Sequence, residues 1–204
     1  MRLPRAALAI AALVAVLAAG GWFLQGWLAA EQASGGRPLI ESEFSLVDHT
    51  GKPVTDEDFA GKWQLVFFGF TFCPDICPTT LNDVSIVLEE LGAEADQVQP
   101  LFITVDPERD TPEVMAEYVG NFDPRIVGLT GSPEQIDQAA HAFRAYYAKV
   151  EQEGVAGGYT MNHSAFLYLM SPEGDYATHF AADDDPAAVA EEIRAYLEGE
   201  KGVA

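Results

Sequence analysis

Basic residues are scarce in this sequence: 11 lysines and arginines stand against 32 aspartates and glutamates in 204 residues, a formal net charge of −21. So acidic a surface repels nucleic acid and anionic lipid headgroups, which excludes a nucleic-acid partner. The same charge either favours positively charged partner surfaces or only keeps the protein soluble, and both readings stay open. Cysteine is scarcer still, Cys73 and Cys77 being the two present. Neither lies near the N-terminus, so no lipid-carrying cysteine is expected there. Internal repeats, nucleotide-binding glycine loops and low-complexity tracts are also lacking. Beyond the N-terminal segment about 170 residues remain, enough for one packed core.

Residues 6–30 hold no ionisable side chain, and 6–24 are apolar apart from two glycines. Such a run is long enough for a helix to cross a hydrocarbon core of roughly 30 Å. A cleaved signal peptide would show a small-x-small site at the end of the run, where Trp22, Phe23, Trp27 and Leu28 stand instead, so an uncleaved anchor over 1–30 is expected. Arg2 and Arg5 precede the run and Glu31 follows it, which puts the N-terminus in the cytoplasm and the rest outside, making a single-pass protein of the inner membrane with its C-terminal domain in the periplasm. Residues 32–38 (QASGGRP) have the composition of a tether. The expected organisation is therefore an anchor at 1–30, a linker at 31–38 and a domain at 39–204.

Within that domain Phe44, Leu46 and Val47 begin a strand, and residues 48–53 carry turn chemistry around Gly51. The run 64–70 (QLVFFGF) is apolar throughout, as in a strand buried on both faces. Leu81, Val84, Leu88 and Leu91 then recur at helical spacing after Pro78, with Gly92 as the stop. A strand is predicted at 101–105, a helix opened by Thr111 and Pro112, a short strand at 126–129, and a helix capped by Ser132 whose apolar face runs through Ile136, Ala140, Phe143 and Tyr147. A glycine-rich loop at 154–158 leads to His163. Strands at 165–170 and 176–180 joined by a tight turn, and a helix at 186–197, complete the chain. Parallel strands with crossover helices, ending in a hairpin and a helix, give an α/β chain of the thioredoxin-like order: a central mixed sheet flanked by helices.

Cys73 and Cys77 stand four residues apart between a buried strand and a helix N-terminus, close enough to share a metal or form a bridge. Outside the membrane such thiols are bridged, metal-bound or kept reduced by a partner. As a purely structural disulfide the pair is a poor choice, since so short a loop removes only about 2 kcal/mol of chain entropy against about 4.7 for a long one. Two sulfurs are a redox motif or half a metal site, so a third donor is the question. Of the four histidines, His141 falls in a helix, His49 in the first turn and His179 in a hairpin strand. His163 lies between the glycine-rich loop and a core strand, where position alone favours a capped loop histidine over a ligand. Asp106 either accepts a bond from a ligand or steers a partner, or belongs to a turn in which Asp110 or Thr111 caps the next helix, with Asp110 the favoured cap. Asp75 either shapes the loop between the thiols or raises their pKa.

The runs 67–81 (FFGFTFCPDICPTTL), 104–112 (TVDPERDTP) and 162–164 (NHS) closely resemble the SCO/SenC family of copper chaperones, with matching order and spacing from about Phe44 to the last helix. The resemblance implies that Cys73, Cys77 and His163 bind one copper ion, as Cu(I) or Cu(II); Asp106 and Asp75 are, by position, the candidates just outside the ligand set. It implies delivery of copper to, or reduction of the cysteines of, the binuclear centre of cytochrome c oxidase subunit II, alongside other periplasmic copper chaperones or thiol reductants. Two thiolates and an imidazole suit Cu(I) and tolerate Cu(II) with an added ligand, although zinc takes the same donors. The alternative is a periplasmic thiol-disulfide oxidoreductase acting through a redox-active Cys73/Cys77 pair. A peroxidase akin to the peroxiredoxins is a weaker third reading, resting on the 44–61 opening.

Overall fold

Nine strands and four α-helices follow one another in the described part of the chain, which in this computed structural model comprises residues 42–203 together with Gly20 and Ile40. Apart from Gly20, the expected anchor and linker lie outside the described residues. Among the described residues no helix is long and apolar enough to cross a membrane.

The strands are β1 (Ser45–Asp48), β2 (Pro53–Thr55), β3 (Trp63–Gly69), β4 (Val98–Thr104), β5 (Val127–Thr130), β6 (Tyr147–Glu151), β7 (Tyr159–His163), β8 (Phe166–Met170) and β9 (Tyr176–Ala181). The helices are α1 (Ile76–Leu91), α2 (Pro112–Val119), α3 (Pro133–Ala142) and α4 (Pro186–Leu197). Seven strands form one sheet in the order β2-β1-β5-β4-β3-β8-β9, with β3, β4 and β5 parallel and the outer pairs antiparallel. This is the mixed sheet expected of a thioredoxin-like fold.

The apolar run of β3 is explained by its place in the sheet. It is paired with β4 on one side and β8 on the other, and Leu65, Val66, Phe67 and Phe68 are all buried. Phe67 stacks on Phe102 of β4, while Phe68 meets Phe143 and Tyr168 edge-on. Directly after this strand the chain turns into the cysteine motif, so the motif is mounted on an almost wholly buried central strand.

Two sequence expectations are corrected here. The helix read as reaching Tyr147 ends at Ala142, because Arg144 adopts a left-handed conformation (φ 52°) and closes a Schellman pair, with Arg144 N–H donating to His141 O and Ala145 N–H to Ala140 O. An arginine in the position usually held by glycine leaves no stop signal in the sequence. Tyr147 instead begins β6, which pairs with β7 as a separate two-stranded sheet. The glycine-rich run is the tip of this hairpin, where Gly154, Gly157 and Gly158 all have positive φ. His163 is thus the last residue of a strand, paired with Tyr147, and not part of a flexible loop.

Candidate metal centre

Cys73 sits in the turn after β3, with its N–H donating to Phe70 O, and Cys77 is the second residue of α1. Cys77 is fully buried and Cys73 nearly so, which makes Cys73 the outer of the two sulfurs. The Cys77 N–H, one of the helix's unsatisfied first-turn donors, points at Cys73 Sγ at 3.4 Å. Gly69 permits the close approach of β3 to this turn: a Cβ there would lie 2.9 Å from Cys77 Sγ and 2.7 Å from the Phe102 ring.

From the other side the β6–β7 hairpin brings His163, whose Nε2 lies 3.4 Å from Cys77 Sγ. The ring is set by its second nitrogen. Nδ1 is 3.0 Å from Ser164 O, and since a carbonyl only accepts, Nδ1 carries a proton and Nε2 is turned to the sulfurs. Phe67 and Phe70 hold the imidazole edge-on. The two sulfurs and the imidazole nitrogen all lie within 4.8 Å of one another, and both cysteines are free thiols. Two metal–ligand bonds of about 2.0–2.3 Å laid end to end span roughly 4–4.6 Å, so the three donors sit near the spacing that one ion takes.

The electrostatics separate the two sulfurs. A bond from the Cys77 thiol is the main reason Cys73 is pulled down to about 4; burial opposes it, and the contact with His163 and the N–H groups of Asp75 and Cys77 assist. The same bond, with burial, pushes Cys77 upward. Of the two sulfurs, Cys73 is therefore the one favoured as thiolate. In the metal-free, reduced protein, alkylation of Cys73 by iodoacetamide should be nearly as fast at pH 6 as at pH 8. A thiol of ordinary pKa slows roughly 100-fold over that interval, and a loss of that size would refute the assignment.

The other sequence candidates land elsewhere. Asp75 is the exposed residue before α1, its side chain making no cap bond, and it touches Cys73 through its backbone N–H alone. The buried Asp106 carboxylate bonds Arg109 and the Tyr159 hydroxyl (2.9 Å), not a cysteine or His163. Asp110 is not the helix cap: Thr111 accepts the Val114 N–H, as befits the residue directly before a proline at the first helical position. Asp110 is instead fully buried and accepts from Thr71 N–H (3.0 Å), Thr71 Oγ1 (2.6 Å) and Thr104 Oγ1 (2.5 Å). It ties the start of the cysteine turn to β4, a role that nothing in the local sequence signalled. Of the remaining histidines, His49 accepts from Gly128 N–H, His179 pairs with Tyr176 and His141 is exposed on α3.

A family model described as SCO1/SenC matches residues 32–198. The human "Protein SCO1 homolog, mitochondrial" is 41% identical over 167 residues, covering 79% of this chain and 54% of its own length. The chain thus spans little more than half of that relative. Among solved structures, one described as Bradyrhizobium japonicum ScoI with copper bound is 44% identical, with a TM-score of 0.71 over 78% of this chain and 99% of that one. Another, described as identifying a disulfide switch in BsSco, a member of the Sco family of cytochrome c oxidase assembly proteins, is 25% identical, with a TM-score of 0.61 over 80% of this chain and 95% of that one.

Proposed function

The chain belongs to the SCO1/SenC family, and from that premise we propose that it is a metallochaperone in which Cys73, Cys77 and His163 hold one copper ion for delivery to the binuclear copper centre of cytochrome c oxidase subunit II. The observation that carries this reading is His163 Nε2 standing 3.4 Å from the inner sulfur, on a strand remote in sequence from both cysteines. A dithiol used only for redox exchange needs no such third donor. Soft thiolates favour Cu(I) and the imidazole extends the site toward Cu(II). ScoI, similar over nearly its whole length, is described with copper bound, and BsSco is described as belonging to a family of oxidase assembly proteins. In this reading residues 1–30 anchor the protein in the inner membrane, 31–38 are the tether, and the domain at 39–204 works in the periplasm beside other copper chaperones or thiol reductants.

A second reading is favoured by the split between the sulfurs. The Cys73 thiolate attacks a disulfide of the target, the target S–S bond breaks, and one target sulfur leaves as thiolate. Cys77 then gives its proton to that thiolate and attacks the Cys73 sulfur, releasing the second target sulfur as a thiolate and leaving a Cys73–Cys77 disulfide. Two electrons pass to the target, and a thiol reductant must return them.

Mixing experiments separate the two. Copper-loaded chain incubated with the copper-free, reduced domain of subunit II should build the binuclear centre, read from its optical spectrum. If the centre forms only when that domain starts as a disulfide, the chain is metal-free and copper is supplied separately, the reductase reading replaces the chaperone one.

A further inference from the structure

We propose that Arg109 is a positioning residue that sets the β6–β7 hairpin, and with it His163, against the cysteine turn; this rests on the copper reading of the site. The hairpin is a two-stranded sheet of its own, so no ladder of backbone bonds joins it to the seven-stranded sheet that carries Cys73 and Cys77. Beyond the two-residue chain link from His163 to β8, side chains hold it. Tyr159, Met161 and His163 alternate along β7 and so share the face turned to the body, where Met161 is buried. Arg109 engages the far end of that face. Its guanidinium bonds the Asp106 carboxylate, donates through Nη1 to Tyr159 O at 3.2 Å, and stacks 3.9 Å from the centre of the Tyr159 ring. The Tyr159 hydroxyl returns to Asp106 at 2.9 Å, closing a ring of three residues.

The same guanidinium also reaches the other half of the site. Its carbon lies 4.6 Å from the Phe72 ring centre and 6.0 Å from that of Phe70. Phe72 is the residue before Cys73, and Phe70 meets the His163 imidazole edge-on. One mostly buried arginine thus touches the strand that bears the imidazole and the turn that bears the outer sulfur. A planar fork can stack between rings while bonding in its own plane, which an ammonium cannot do. The salt bridge between Lys149 of β6 and Glu108, at 2.7 Å, adds an exposed second fastening to the same segment. Arg109 and Asp106 touch none of the three donors, so they act on the imidazole by placing it.

The test uses the full chain in detergent micelles, reduced and anaerobic, as wild type, Arg109→Gln and Tyr159→Phe; the last removes only the hydroxyl bond to Asp106 and covers a failure of the first to fold. Arg109→Gln should weaken Cu(II) about tenfold or more, the usual scale for residues that orient metal ligands, and reduce the imidazole-nitrogen coupling in the Cu(II) electron-spin-echo spectrum. Cu(I), held by the two sulfurs, should change less than about threefold, and Tyr159→Phe should move the same quantities less far in the same direction. Without metal, amides 160–164 should exchange faster with solvent in Arg109→Gln while those of β3 and β4 do not. Unchanged coupling with unchanged exchange overturns the proposal, as does an equal loss of both copper states accompanied by faster exchange in β3 and β4. A wild type that shows no imidazole coupling refutes the copper reading instead, and the metal-free exchange then still decides the role of Arg109.

Discussion

A Cys77→Ser chain is expected to lose copper binding at micromolar concentrations under reducing conditions. Cys77 is the inner donor, fully buried beneath Gly69 and 3.4 Å from the imidazole, so no other residue can slide into its place. A serine hydroxyl fits the space but is a poor ligand for a soft ion. Four-ligand thiolate and imidazole sites are worth about 10–16 kcal/mol for zinc, or roughly 3 kcal/mol per ligand, which is about two powers of ten in affinity. Competition against a Cu(I) chelator measures the loss, and native affinity in the variant would remove Cys77 from the site.

The second large effect is one of selectivity. His163→Ala should weaken Cu(II) by about 100-fold or more on the same per-ligand scale, yet weaken Cu(I) far less, because two thiolates already satisfy the softer ion and the imidazole is the donor Cu(II) needs. Stability should fall little, by about 1 kcal/mol, since the ring is only half-buried between Phe67 and Phe70. The absorption of thiolate bound to Cu(II) should vanish while the Cu(I) stoichiometry survives. Equal losses for both ions would mean that His163 serves the fold and not the metal.

Local pattern carried much of this structure. The buried run of β3, the helical spacing of α1 and the Thr-Pro start of α2 depend on neighbours close in sequence, and the turn holding Cys73 and Cys77 lies between elements that could be read in advance. His163 is another matter. It meets Cys77 across 86 residues, on a hairpin whose strand β6 is short, largely exposed and begins at a tyrosine that also continues the apolar spacing of the preceding helix. Its role was reached by resemblance to a family, and position alone left it as a loop histidine. Asp110 and Arg109 were hidden for the same reason: their partners Thr71 and Tyr159 lie 39 and 50 residues away, and nothing in the local sequence marks a carboxylate as a tie between strands or an arginine as a clasp on a hairpin. The overlong α3 reflects a left-handed arginine standing in for the expected glycine.

X-ray absorption at the copper edge, combined with metal analysis of the reduced full chain loaded with Cu(I) and then with Cu(II), tests the central claim most directly. One copper per chain is expected, with two sulfurs at about 2.3 Å in both states and a nitrogen at about 2.0 Å in the Cu(II) form, distances taken from the corresponding zinc bonds. Copper surrounded by oxygen and nitrogen without sulfur, or several ions per chain spread over the acidic surface, would contradict a site built from Cys73, Cys77 and His163.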